Sequence, residues 1–291
     1  MSAELKSPSA RDTAWWLAVL RRRALKMAEE PAGAPEPPRF ANETARRAAI
    51  AFFNAAFRAE ESGLRQAHEL ASEVADWDPE LGEVLRLYGD EEGWHRELLE
   101  DFLRRIGGGV APMGRVTSLL YRAYARAERM ETIVLTNLMF ETIGATTYRM
   151  ALRNVREPAV RRMLTILTRD ESFHVPLNVH FLRAVLTRRP AALARARVIY
   201  RLTFLGLVLL PLASRPKARA FDRIGTLELA RAYARELAGL FDDHPELGFA
   251  PPPLVLRLLG VKHERGDGQG PTSLAAAERA AERERVVVEE L

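Results

Sequence analysis

The chain has 291 residues, 47% hydrophobic and 28% charged, which suits a soluble globular protein with room for one large or two modest domains. There is no cysteine, so disulfides, iron–sulfur clusters, thiolate-bound zinc and thiol catalysis are excluded, and any reducing electrons must come from another protein or molecule. The net charge of +4 spreads 43 basic residues among 39 acidic ones with no basic stripe, and nucleic acid is not an expected partner.

Ala-, Leu-, Arg- and Glu-rich runs without Val/Ile/Thr alternation predict an all-α chain. Residues 12–29 read as a short helix holding Trp15 and Trp16. The apolar Ala14–Leu20 stretch is short, and Arg21, Arg22 and Arg23 follow it, which is not the order of a signal peptide; a cytoplasmic location is the default. A linker, PAGAPEPP, fills 31–38. A helix is predicted from about Asn42 to Ala75, and Asp78-Pro79 opens another that Gly107, Gly108 and Gly109 stop. A helical stretch from about 115 to 154, in two parts, comes next, and Glu157-Pro158 opens a helix ending near Arg189-Pro190. Further helices are predicted at about 191–213, 219–242 and 252–261, then a GDGQG gap and a polar terminal helix from Thr272. This organisation divides the chain into 1–41, 42–189, 190–262 and 263–291. The run within Val198–Ala213 is too short to cross a membrane, which takes about 20 residues. It reads as a helix buried over the bundle, with a membrane-surface anchor or a lid over an apolar pocket as the alternatives.

Glu92-Gly-Trp-His95 and Glu171-Ser-Phe-His174 carry the chemistry. Each is a Glu-x-x-His, and EEGWHRELLEDFLR aligns with DESFHVPLNVHFLR through the Glu, the His, a Leu and the closing Phe-Leu-Arg. On a helix, residues three apart share a face, so each motif aims a carboxylate and an imidazole the same way. Two such pairs hold two metal ions if two more carboxylates face them. Glu141 is one candidate, the only acid between Thr132 and Val155 on a core-like face with Leu138, Ala145 and Tyr148. The other is Glu60, in a stripe with Phe53, Phe57 and Leu64, preferred over Glu61, which shares a more polar stripe with His68. His180 reads as surface or supporting, Tyr148 as a packed core side chain and Trp94 as an exterior one. Glu60 and Glu92 are 32 residues apart and Glu141 and Glu171 are 30, each fitting one antiparallel hairpin, whereas Glu92 and Glu141 are 49 apart. The excess, as helix, covers about 30 Å, which predicts a crossover over 107–128 between two hairpins.

The order Glu, Glu-x-x-His, Glu, Glu-x-x-His resembles the ferritin-like di-iron carboxylate superfamily over roughly 42–186, and the EExxH and DExxH forms resemble soluble acyl-carrier-protein desaturases. The resemblance implies a ferritin-like four-helix bundle with extra N- and C-terminal helices and a cofactor of two iron ions, Fe/Fe with Mn/Fe also open. Glu92 and Glu171 would bridge the metals as the catalytic carboxylates, Glu60 and His95 would complete one metal's shell, and Glu141 and His174 the other's. Glu91 and Asp170 would orient the opposite histidines. The implied activity is that of an O2-activating oxidase or oxygenase on an organic substrate, by hydroxylation, desaturation or N-oxygenation. Implied partners are a small-molecule or acyl substrate and an external donor of ferredoxin or reductase type; a homodimer is also open. A ferroxidase, iron store or peroxide scavenger is the alternative, and a non-catalytic helical interaction protein the third. Two positions depart from family patterns: Gly144 and Ala145 stand where many hydroxylases carry Thr, and Leu167 stands where the p-aminobenzoate N-oxygenases carry His.

Overall fold

A computed structural model describes residues 12–29, 38–112 and 129–263, and all regular structure among them is helical. The helices are α1 (Thr13–Glu29), α2 (Glu43–Ala75), α3 (Pro79–Arg105), α4 (Met130–Asn154), α5 (Pro158–Arg188), α6 (Leu193–Asp222), α7 (Thr226–Gly239) and α8 (Pro253–Leu259). The predicted crossover over 107–128 lies mostly outside the described residues, as do most of the 31–38 linker and the polar helix from Thr272.

Local chemistry sets the helix starts. Asn42, Asp78 and Glu157 each accept a hydrogen bond from the backbone N–H three residues on, and Pro79 and Pro158 occupy the first turns they begin. Three residues join α2 to α3, and three join α4 to α5, so each pair folds back as an antiparallel hairpin. The hairpins meet through polar side chains of α3 and α5, described below.

The two broad faces of this four-helix arrangement are covered differently. On the α3/α5 face lies α1: Trp16 sets its ring edge-on to Phe173, 5.5 Å between centroids, and Thr13 Oγ1 pairs with His180 Nε2 at 3.2 Å. On the other face α6 packs against α2 and α4, with the Phe221 ring 5.1 Å from that of Phe52, and Asn154 donates to the Asp222 carbonyl at 2.9 Å. Helix α7 extends this layer, its Tyr233 hydroxyl 2.6 Å from that of Thr147.

The predicted break between helices at 213–219 is not present: α6 continues from Leu193 to Asp222, straight through Pro211, and ends where Arg223 turns left-handed at φ 59°. Proline inside a helix removes one hydrogen bond and costs about 3 kcal/mol. Burial of Tyr200, Phe204, Leu207, Val208 and Pro211 along one side of α6 offsets that cost. The opposite side of the same helix is exposed, so the reading of Val198–Ala213 as a buried helix describes only half of it.

Candidate metal centre

The six predicted ligand side chains converge. Glu60 comes from α2, Glu92 and His95 from α3, Glu141 from α4, and Glu171 and His174 from α5, all buried. They form two groups, Glu60/His95/Glu171 and Glu92/Glu141/His174, and within each the donor atoms lie within 4.8 Å of one another. Each group takes its histidine from one hairpin and at least one carboxylate from the other. His174 Nδ1 is 3.0 Å from Glu92 Oε1 and 3.7 Å from both Glu141 Oε2 and Glu171 Oε2, while His95 Nδ1 is 3.4 Å from Glu60 Oε2. Glu61 turns away and pairs with Arg58 at 2.6 Å, and His68 pairs with Asp90 at the surface.

The outer nitrogens of both imidazoles are already committed. His95 Nε2 lies 3.0 Å from Asp170 Oδ2, and His174 Nε2 lies 2.9 Å from Glu91 Oε2. The exchange is reciprocal: the acid before each Glu-x-x-His orients the histidine of the other. An ionised carboxylate only accepts, so Nε2 donates and Nδ1 keeps its lone pair facing the centre.

Sequence reasoning did not find the residue that ties these pairs together. From α1, Arg23 donates through Nε to Glu91 Oε1 at 2.8 Å and through Nη2 to Asp170 Oδ1 at 2.7 Å, with its guanidinium 4.2 Å from the Phe173 ring centre. A signal existed, since Arg23 lies three and seven residues after Leu20 and Trp16, on the buried stripe of α1. Tyr88 was also missed: its hydroxyl donates to Glu141 Oε1 at 2.8 Å and accepts from Asn137 Nδ2 at 2.8 Å. It precedes Glu92 by one turn and so shares its face. Tyr148, read from sequence as a packed core side chain, is buried against Phe52 at the edge of a cleft.

The donor set fits a cation. Of the eleven buried side-chain polar atoms without a hydrogen-bond partner among the described residues, seven, Glu60 Oε1 and Oε2, Glu92 Oε1, Glu141 Oε2, Glu171 Oε2, His95 Nδ1 and His174 Nδ1, belong to the six candidate ligands. Buried polar atoms left so are costly, and a shared positive ion satisfies them together. Without one, the group must hold protons. Burial and the charges of Glu141 and Glu60 push Glu92 well above the carboxylate range, and burial with the same neighbours pushes Glu171 up. Burial opposes charging His95, but the nearby carboxylates of Asp170 and Glu60 prevail and raise it to about 10. Four carboxylates against two divalent ions leave a near-neutral cluster, and those ions would take the place of the protons.

Space at the centre is asymmetric. A small, half-open cleft with a cavity volume of about 30 Å³ reaches Glu60, Glu92, Glu141 and Glu171 from the side of α2 and α4, bordered by Ser62, Asn137, Phe140, Gly144 and Tyr148. The histidines face away from it, towards α1. A Cβ at Gly144 would meet nothing nearer than Tyr148 at 3.8 Å, so this position leaves the cleft open. At Gly63 a Cβ would sit 2.8 Å from Glu92 Oε2, and only glycine there lets that carboxylate lie against α2.

No family model, curated protein or solved structure matches this chain.

Proposed function

We propose that the protein is a di-iron, or Fe/Mn, O2-activating oxidase or oxygenase acting on an organic substrate, built on a ferritin-like bundle. The observation that carries this reading is the pair of buried Glu/Glu/His groups whose inward atoms are the orphaned ones. Four carboxylates and two imidazoles suit iron or manganese, and the open side leaves positions for exogenous ligands. When bound, the metals would supply the reduction of O2.

The chain's own residues do the rest. Glu60, His95 and Glu171 would hold one metal and Glu92, Glu141 and His174 the other. Asp170 and Glu91 fix the imidazoles, and Tyr88 fixes Glu141. The apolar packing of Trp16 and Phe173 keeps bulk water from the histidine side. The cleft beside Gly144 is small and mixes Ser62 and Asn137 with Phe140 and Tyr148, which favours a compact substrate over a long acyl chain threaded through an apolar tunnel.

Elemental analysis of protein purified after growth with iron tests the centre. About two metal ions per chain are expected by the ligand count, lost in Glu92→Gln and His174→Gln with helical content unchanged. A folded wild type that binds no metal under competition-free loading would refute the reading. Oxygen uptake by reduced, loaded protein then separates the proposals: uptake coupled to an organic product supports an oxygenase, whereas turnover of ferrous iron or peroxide alone supports a metal-handling protein.

A further inference from the structure

Helix α6 carries a feature that the metal centre leaves unused. Val198, Leu202, Leu205, Leu209 and Leu212 follow one another at spacings of four, three, four and three, a single stripe along the helix. The stripe lies opposite the buried Tyr200, Phe204 and Leu207, and it is bare: Leu202 is 66% exposed and Leu212 63%. Nearby on α8, Leu254 is 66% and Leu258 77% exposed, and Arg201 links the two regions by donating to the carbonyl of Ala250 at 3.4 Å, just before α8. Monomeric soluble proteins seldom expose a continuous apolar strip of this kind.

The charges beside the stripe identify what it meets. Every exposed residue described on α6 is apolar, glycine or arginine, and none is acidic. Arg201 and Arg219 are exposed cations beside the stripe on α6, and Arg257 is exposed on α8. A second copy seated on the stripe would set arginines against arginines without the acidic flanking residues that pair helices. A bilayer rich in anionic lipid offers both an apolar layer for the leucines and negative headgroups for the guanidinium groups. Among the described residues no helix is long and apolar enough to cross a membrane, so contact would be with the surface.

We propose that α6, with α8, is a peripheral docking surface for anionic membranes, lying in the headgroup region with its leucine stripe immersed. The proposal stands apart from the metal centre. It also places the bilayer beside the layer that packs on α2 and α4, the helices bordering the cleft.

Sedimentation of the full chain with vesicles tests it. Vesicles of mixed phosphatidylglycerol and phosphatidylcholine should pellet the protein, vesicles of phosphatidylcholine alone should pellet it at least tenfold less, and high salt should release it. Leu205→Ser/Leu209→Ser, both at exposed positions, should lower anionic-vesicle binding at least tenfold with unchanged helical content and metal stoichiometry, and Arg219→Gln/Arg257→Gln should weaken it severalfold. Absence of vesicle binding by the wild type overturns the proposal, as does equal binding to neutral vesicles. A chain that is dimeric in solution, becomes monomeric in the leucine variant and ignores vesicles assigns the stripe to a second copy instead, and likewise overturns it.

Discussion

Replacing Arg23 with Met is the sharpest test of how the centre is held. The side chain is buried with Glu91 and Asp170, and its contacts, at 2.8 and 3.2 Å to Glu91 and 2.7 Å to Asp170, neutralise carboxylates that are 1% and 0% exposed. Methionine keeps much of the volume and removes the charge. Removing one partner of a buried ion pair costs about 3–5 kcal/mol, because the other charge is left uncompensated. Asp170 would retain Arg169 at 2.7 Å and His95, whereas Glu91 would retain only His174, so most of the loss falls on Glu91. At about 2–4 °C per kcal/mol for a domain of this size, the midpoint of thermal unfolding should fall by about 10 °C. Metal affinity should fall about tenfold, as for other groups that orient a ligand histidine. Burial works against ionised Glu91, but the Arg23 and His174 charges prevail and hold its pKa low. Its contribution to stability is therefore complete at neutral pH and is lost as pH drops through the folded-state value. Without Arg23 that value rises, and acid unfolding of the variant should begin at a higher pH than in the wild type. The double variant Arg23→Met/Glu91→Gln removes the stranded charge and should recover at least about 1 kcal/mol in a double-mutant cycle. Chemical denaturation and chelator competition measure both quantities. An Arg23→Met protein within about 0.5 kcal/mol of the wild type, with unchanged metal affinity, would refute the reasoning.

Gly63→Ala should separate metal binding from folding: helix propensity favours alanine by up to about 1 kcal/mol, yet the new Cβ displaces Glu92, so chelator competition should show at least tenfold weaker metal binding in a protein as stable as the wild type. Equal metal affinity would mean Glu92 is not a ligand. His180 is held neutral by burial and by Arg183, its pKa lowered from 6.5 to about 4, so the folded state resists protonation there. Between those values the unfolded chain binds more protons, so stability should drop by up to about 3 kcal/mol as pH is lowered from about 6.5 to about 4; denaturation midpoints from pH 7 to 4 should show the loss, and an unchanged slope in His180→Gln would assign it elsewhere.

The candidate ligands were legible because each is specified by its own helix. Period and face place Glu60, not Glu61, inward, and the acid before each motif lies where it can reach across to the other hairpin. Arg23 was not legible as a partner, because its contacts join positions 68 and 147 residues apart. Periodicity tells which face of α1 is buried, but not which helices cover it. Tyr88 had the same problem, since its hydroxyl acts on Glu141 of the other hairpin. The uninterrupted α6 was misread for a different reason: Pro216 lies in the predicted gap, where local propensity argues for a stop, and the packing of the helix against α2 and α4 overrides it.

The two faces of the bundle now have distinct physical roles. On the α1 side, Glu91, Asp170, Arg23 and the outer nitrogens of both histidines form a buried, hydrogen-bonded network, which any entering molecule would have to break. On the α2/α4 side, the cleft touches carboxylates whose inward oxygens have no partner, and its wall at Gly144 lacks a side chain. Disrupting a buried charge network costs several kcal/mol, whereas entering an existing cleft displaces only solvent. On the proposed function, oxygen and substrate would therefore enter past Phe140, Gly144 and Tyr148, and filling that wall with Gly144→Leu should slow substrate turnover while leaving metal content intact. If instead turnover is unchanged and metal is lost, the open side of the centre serves metal entry, and substrate does not reach it from there.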